Sequence, residues 1–169
     1  MEFGVSQGVD MIAMSFVKDK DDIENLRDLI NNPEIKICAK IEIKQSINHL
    51  EEIIQASDAV MVARGDLGVE MPIEEIPLLQ KEIITLCRRY NTASIVATQM
   101  LMSMVHQPRP TRAEVSDVAN AVFDQASAVM LSDESAFGKY PVESLRFLKK
   151  IAYRAEEYIE NQNRRIPLY

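Results

Sequence analysis

The sequence predicts an α/β protein made of about five consecutive βα units with parallel strands. Three observations predict it. Five short apolar runs, rich in Ile, Val, Ala and Met, start near residues 9, 36, 59, 94 and 128. Each run is followed by a segment whose apolar residues recur at helical spacing. The 169 residues are 47% hydrophobic and 27% charged, which supplies a sizeable core and matches an ordinary globular chain. Strand patterns alternating with helix patterns imply a parallel sheet with helical crossovers. Two architectures satisfy this: a doubly wound open sheet, and part of an eight-unit barrel, which needs roughly 250 residues. The alternation alone leaves both open.

The first run, Val9–Phe16, ends in Ser15-Phe16; Asp19–Asn31 follows, with Ile23, Leu26 and Ile30 on one face. Asp19, Asp21, Asp22 and Glu24 read as a solvated helix start. The second run, Lys36–Ile43, carries Lys40-Ile41-Glu42, and Ser46–Ala56 groups Ile47, Leu50, Ile53 and Ile54. The third, Ala59–Asp66, ends in Arg64-Gly65-Asp66. Its helix, Ile73–Tyr90, has Glu74 and Glu75 at the start and Arg88 and Arg89 at the end, the polarity a helix dipole favours. The fourth, Ser94–Met100, carries Thr98 and Gln99; Thr111 and Glu114 then give the capping-box spacing that opens Thr111–Asp124. The fifth, Ala128–Glu134, ends in Ser132-Asp133-Glu134 and precedes Pro141–Asn161, with Leu145, Leu148, Ala152, Ala155 and Ile159 at steps of three and four. Runs this short and apolar suit strands buried on both faces. Arg164 and Arg165 form a polar tail.

Charge and composition exclude several classes. A formal net charge of −7 argues against a nucleic-acid partner, whose phosphates need a basic face. No apolar run reaches the roughly 18 residues of a membrane span. The start lacks the basic and apolar stretches of a signal peptide. Cys38 and Cys87 frame no disulfide pattern, so a reducing, cytoplasmic setting is the simplest fit. Cys38 reads as a small buried hydrophobe, and Cys87 as a structural or neutral surface thiol.

The chemistry sits at the ends of the runs. Lys40 and Glu42 alternate onto one face of their strand. Glu42 ends one run and Asp66 the next, so two carboxylates can converge on one ion. Charged groups at the carboxyl ends of parallel strands mark the active rim of an α/β protein, where a structural sheet carries Val, Ile or Leu. Two carboxylates suit Mg²⁺ or Mn²⁺, which keep waters and bind substrate oxygens. His49 and His106 lie outside any zinc-ligand spacing. Lys40 can neutralise a developing anion. The Gly65 and Asp66 amides suit a carboxylate or phosphate. Thr98 offers a small hydroxyl. The expected substrate is anionic and metal-chelating.

At these residues the chain resembles pyruvate kinase. The resemblance rests on Phe3–Phe16 (FGVSQGVDMIAMSF), Ala39–Glu42 (AKIE), Val60–Pro72 (VMVARGDLGVEMP), Ala97–Met104 (ATQMLMSM), Pro108–Val122 (PRPTRAEVSDVANAV) and Val129–Pro141 (VMLSDESAFGKYP), in family order over nearly the whole chain. It implies that residues 1–169 form part of a (β/α)8 catalytic barrel, units four to eight. The first three strands, the lid domain and the C-terminal domain of the family are not matched. It also implies the reaction: phosphoryl transfer from phosphoenolpyruvate to ADP, giving pyruvate and ATP. Lys40 matches the lysine that neutralises the phosphoryl group and the enolate. Glu42 and Asp66 match the divalent-metal ligands. Gly65 and Asp66 match the amides that hold the substrate carboxylate, and Ala63 and Arg64 match the wall of the same pocket. Thr98 matches the threonine on the proton-delivery path. K⁺ is expected for the family, but its ligands lie in unmatched segments. Arg112 matches a segment near subunit contacts, so self-association is expected, as in the family's homotetramers.

Departures are visible. Ile43 replaces a usual Asn, Asp133 a usual Gly, and Gln125 and Ser127 a usual Gly and Asp. Asp133 adds negative charge beside a site for anions. With the phosphate-binding arginine and the lid unmatched, the chain alone is expected to show no appreciable turnover. A metal-dependent lyase or aldolase on a similar barrel, and a non-catalytic scaffold, are the alternatives. The PTRAEVSDVANAV run favours the kinase, because enolate chemistry in general does not demand it.

Overall fold

Strands and helices alternate along the chain as the apolar runs predict. A computed structural model describes residues 2–165, with side chains for residues 3–162. The side chains of Arg164 and Arg165 lie outside the described residues. The strands are β1 (Met11–Met14), β2 (Lys36–Ile41), β3 (Ala59–Ala63), β4 (Ala93–Ala97) and β5 (Ala128–Met130). Their order in the sheet, β1-β2-β3-β4-β5, is the order of the chain. The helices are α1 (Glu2–Ser6), α2 (Lys20–Ile30), α3 (Lys44–Ile47), α4 (Leu50–Ala56), α5 (Arg64–Glu70), α6 (Ile76–Arg89), α7 (Arg112–Phe123), α8 (Asp133–Ala136) and α9 (Pro141–Arg165). The chain divides into two compact units, residues 1–96 and 97–169.

In the first unit, β1 pairs with β2 in parallel from Met11 opposite Lys36 to Met14 opposite Ala39. β2 pairs with β3 in parallel from Cys38 opposite Ala59 to Ile41 opposite Val62. Asp58 fixes the start of this ladder. Its carboxylate accepts from the Ile37 amide at 2.9 Å and from Arg27 at 3.2 Å, and lies 3.7 Å from Lys36. Partial burial opposes ionisation of Asp58, but the bonds from Ile37 and Arg27 and the charges of Arg27 and Lys36 outweigh it and hold the carboxyl below its ordinary value.

Ile23, Leu26 and Ile30 of α2 are buried, as their spacing requires. Asp19 caps α2 by accepting from the Asp22 amide, and Asn31 ends it with a left-handed φ of 47°. Ile23, Leu26 and Ile30 pack with Val17, Ile37, Ile41, Ile53, Val60, Val62, Leu67 and Ile83 into one apolar cluster. Cys38 and Cys87 are buried with them. Burial pushes the Cys38 thiol up to about 11, with Lys40 opposing, and the Cys87 thiol up to about 12. Both stay protonated and unreactive. Cys87 is thus structural, and not a surface thiol.

The second unit closes over Met100, Leu101, Met104, Val118, Ala121, Leu148 and Ala155. α7 opens on the capping box expected from Thr111 and Glu114. It ends in a Schellman turn: Gln125 N–H donates to Val122 and Ala126 N–H to Ala121. Gln125 takes φ 68°, the left-handed position that glycine usually fills. Restoring glycine removes a Cβ clash worth about 1 kcal/mol after the entropy cost. We therefore expect Gln125→Gly to raise Tm by roughly 2–4 °C. A thermal melt showing no rise would place the strain elsewhere.

The structure corrects several expectations. Every strand is shorter than its apolar run. The rim residues leave the ladder because their backbones cannot extend it: Phe16, Thr98 and Gln99 have φ of 57°, 67° and 55°. Arg64, Gly65 and Asp66 are not a strand end but the first turn of α5. Ser46–Ala56 is two helices, broken where His49 leaves helical geometry. The buried Ser46 hydroxyl is held there by the Val17 carbonyl at 2.5 Å. In Ile73–Tyr90, residues Ile73–Glu75 form a 3-10 turn before α6 begins. Burial on both faces holds for β3, but Met11 and Ala13 of β1 and Ala128 and Met130 of β5 are exposed, since these strands end the sheet order. Leu145 is 59% exposed; the buried line of α9 runs through Ser144, Leu148 and Ala155. α1 carried no signal in the sequence.

Candidate active site

The register of the first unit builds a charged cluster at the carboxyl ends of β1 and β2. Met14 lies opposite Ala39, so the next residue along, Ser15, comes level with Lys40. Lys40 Nζ donates to Ser15 Oγ at 2.9 Å and pairs with Glu42 Oε1. The other carboxylate oxygen, Glu42 Oε2, accepts from the Phe16 amide at 2.8 Å. The left-handed turn at Phe16 gives that amide its direction and leaves the ring exposed. The Glu42 side chain is 1% exposed and that of Lys40 25%, so a buried anion faces a cation open to solvent. Sequence alternation anticipates the Lys40–Glu42 contact. It does not anticipate Ser15 and Phe16 as partners, because a backbone donor has no signature in residue type.

The other predicted residues of this unit surround the end of β3. Ala63 is buried at the strand terminus. α5 then starts without a loop, with Arg64 and Gly65 half-buried and Asp66 exposed in its first turn, while Leu67 anchors the helix in the core. Arg64 Nη1 donates to Gln80 Oε1 at 3.4 Å, and Gln80 is itself buried on α6. Among the described residues, no group of three or more His, Cys, Asp or Glu side chains could hold a metal ion.

Thr98 belongs to the second unit. It and Gln99 form two consecutive left-handed residues directly after β4, and Thr98 Oγ1 donates to the Ala97 carbonyl at 2.6 Å. A β-branched residue at positive φ is a genuine outlier. Asp133 sits half-buried in the first turn of α8, and its neighbour Glu134 is fully buried.

Glu114 is the carboxylate whose reach the sequence understates. It accepts from the Ser103 amide and hydroxyl, both at 2.6 Å, and from the Thr111 amide and hydroxyl at 2.7 and 2.9 Å. It joins the 3-10 turn Met102–Val105 to the start of α7. Burial opposes its ionisation, but the four donors prevail and hold the carboxyl below its ordinary 4.5. A depressed carboxyl contributes stability above its unfolded value and loses it as pH falls through the folded value. Glu114→Gln is expected to flatten the loss of stability below about pH 4.5. Urea unfolding at a series of acid pH values checks it; an unchanged acid slope would remove Glu114 from the pH response.

Parallel βα units with a lysine and a carboxylate joined at the strand ends define an α/β protein that carries its charged groups where its strands end. The family model "Pyruvate kinase, barrel domain" matches residues 1–145, and the chain belongs to that family. The chain is 50% identical over 163 residues to a pyruvate kinase of Bacillus licheniformis, covering 95% of this chain and 28% of that protein. It is 46% identical over 170 residues to one of Methanocaldococcus jannaschii, covering 99% and 38%. With one of Thermotoga maritima it shares 49% identity over 162 residues, covering 95% and 35%. The chain thus spans about a third of the length of these curated relatives.

Proposed function

We propose that this chain supplies units four to eight of a pyruvate kinase catalytic barrel, with the lid and C-terminal domains lying in other parts of such a protein. The proposed reaction breaks the phosphorus–oxygen bond of phosphoenolpyruvate, forms one to the terminal phosphate oxygen of ADP, and protonates the resulting enolate at its methylene carbon to give pyruvate. The observation that carries the reading is the Lys40–Glu42 pair at the end of β2, with Glu42 oriented by the Phe16 amide. Phosphoryl transfer needs positioning and charge neutralisation more than a protein nucleophile, and this is what such a cluster provides.

In this reading the Lys40 ammonium neutralises the anion that develops as the bond to phosphorus breaks. The Gly65 and Asp66 amides hold the substrate carboxylate, and Ala63 and Arg64 wall the pocket. Thr98 serves the path of the proton. Glu42 and Asp66 would hold Mg²⁺ or Mn²⁺. They fit it chemically: two carboxylates suit a hard cation whose other positions go to water and substrate oxygens. When bound, the ion would supply positive charge to the substrate's oxygens. K⁺ dependence, a cytoplasmic setting and homo-oligomeric assembly accompany the proposal. Among the described residues, no helix is long and apolar enough to cross a membrane.

The experiment is the melting temperature with and without Mn²⁺ plus oxalate, a mimic of enolpyruvate. A ligand that binds only the folded chain at about 100 times its Kd stabilises by about 2.7 kcal/mol. A rise that requires the metal and disappears in Glu42→Gln is the expected result. No rise, with cooperative melting intact, would leave the chain a scaffold. A coupled assay of the same chain is expected to show no robust ADP-dependent turnover.

A further inference from the structure

We propose that Glu134 is a positioning residue that holds the strained Thr98–Gln99 turn in place. Its carboxylate is fully buried. One oxygen accepts from the Leu101 amide at 2.8 Å, and the other from the Ser132 amide at 2.9 Å. One side chain thus bridges the segment after β4 and the segment after β5. Leu101 lies two residues beyond Gln99, so the bond fixes the point where the left-handed turn re-enters the core.

The turn needs such a hold. Thr98 and Gln99 are both left-handed, and neither is glycine. Strain of this kind persists only where the surroundings over-determine it. Leu101 and its neighbour Met100 are fully buried, which sets where the chain goes but not how it turns to get there. A backbone amide bonded to a buried carboxylate adds a fixed direction at Leu101. Glu134 is itself braced. A Cβ on Gly138 would fall 2.5 Å from the Glu134 carbonyl oxygen, so only glycine lets the chain press so closely on it. The Phe137 and Gly138 amides both donate to the Asp133 carbonyl, and the Lys139 amide donates to Val105 at 2.9 Å. The brace therefore returns to the 3-10 turn Met102–Val105, just beyond Leu101.

The consequence for chemistry rests on the reading of Thr98 as a proton-path residue; the geometric claim does not. The test is nuclear magnetic resonance of the 169-residue chain and of Glu134→Gln. The readouts are the φ-sensitive couplings of Thr98 and Gln99 and the amide shifts of Leu101 and Ser132. Glutamine keeps the size but replaces one acceptor oxygen with an N–H donor, so one of the two backbone amides loses its partner. We expect both amide shifts to move and the two couplings to leave their left-handed values while the chain stays folded. Leu148→Ala, a core truncation in α9, is the control: it lowers Tm and leaves the couplings unchanged. Unchanged Thr98 and Gln99 couplings in folded Glu134→Gln would overturn the proposal and leave Glu134 a stability residue. Should Glu134→Gln not fold, hydrogen exchange of the unaltered chain decides. Met100, Leu101 and Ser132 amides opening together supports the brace, and opening independently overturns it. The oxalate melt reports on the proposed function separately, so the two failures are distinguishable.

Discussion

Lys40→Met is expected to lower stability by about 3–5 kcal/mol, more than any change to its partner, because it leaves the Glu42 carboxylate buried without a counter-charge. The asymmetry follows from exposure. Glu42 is 1% exposed, whereas Lys40 is 25% exposed and can turn its ammonium outward. Glu42→Gln should therefore cost less, about 1–2 kcal/mol, since the amide oxygen still accepts from Phe16 and the freed lysine finds solvent. The double variant should be more stable than Lys40→Met alone, as no buried charge remains. Urea unfolding followed by circular dichroism measures all three. Equal costs for the two single variants would mean that water enters the cluster and that the pair is an ordinary surface ion pair.

Alternation and helical spacing sufficed to place the five units, since a buried strand and an amphipathic helix each leave a period in the residues they bury. Ile23, Leu26 and Ile30 are legible for that reason. So is the Thr111 capping box, whose two partners lie within one turn. Long-range contacts made through the backbone were not legible. Glu42 to Phe16 spans 26 residues and Glu134 to Leu101 spans 33, and in both a carboxylate meets an amide that any residue type could supply. The strand ends are hidden in the sequence for a related reason. Phe16 and Thr98 are good strand formers by type, and only the tertiary contacts explain why their backbones turn left-handed. Leu145 shows the limit of spacing arguments on long helices: one position off the buried line is enough to reach solvent.

The ends of the strand order carry the second large effect. A polypeptide of these 169 residues is expected to self-associate, with a weight-average mass above 19.2 kDa that grows with concentration. β1 pairs with β2 along one side and ends the strand order on the other, and its residues Met11 and Ala13 are exposed. β5 ends the order at its other limit, with Ala128 and Met130 exposed. An apolar edge strand offers unpaired N–H and C=O groups to any other edge, and natural proteins blunt such edges with lysine. Ala13→Lys and Met130→Lys should therefore shift the chain toward monomer, each reporting on the edge of its own unit. Size-exclusion chromatography with light scattering distinguishes the cases. A monomer at every concentration would mean that these edges are satisfied within the chain. Association relieved by either lysine would mean that the same edges are open for further strands, as the proposed place of the chain in a larger barrel requires.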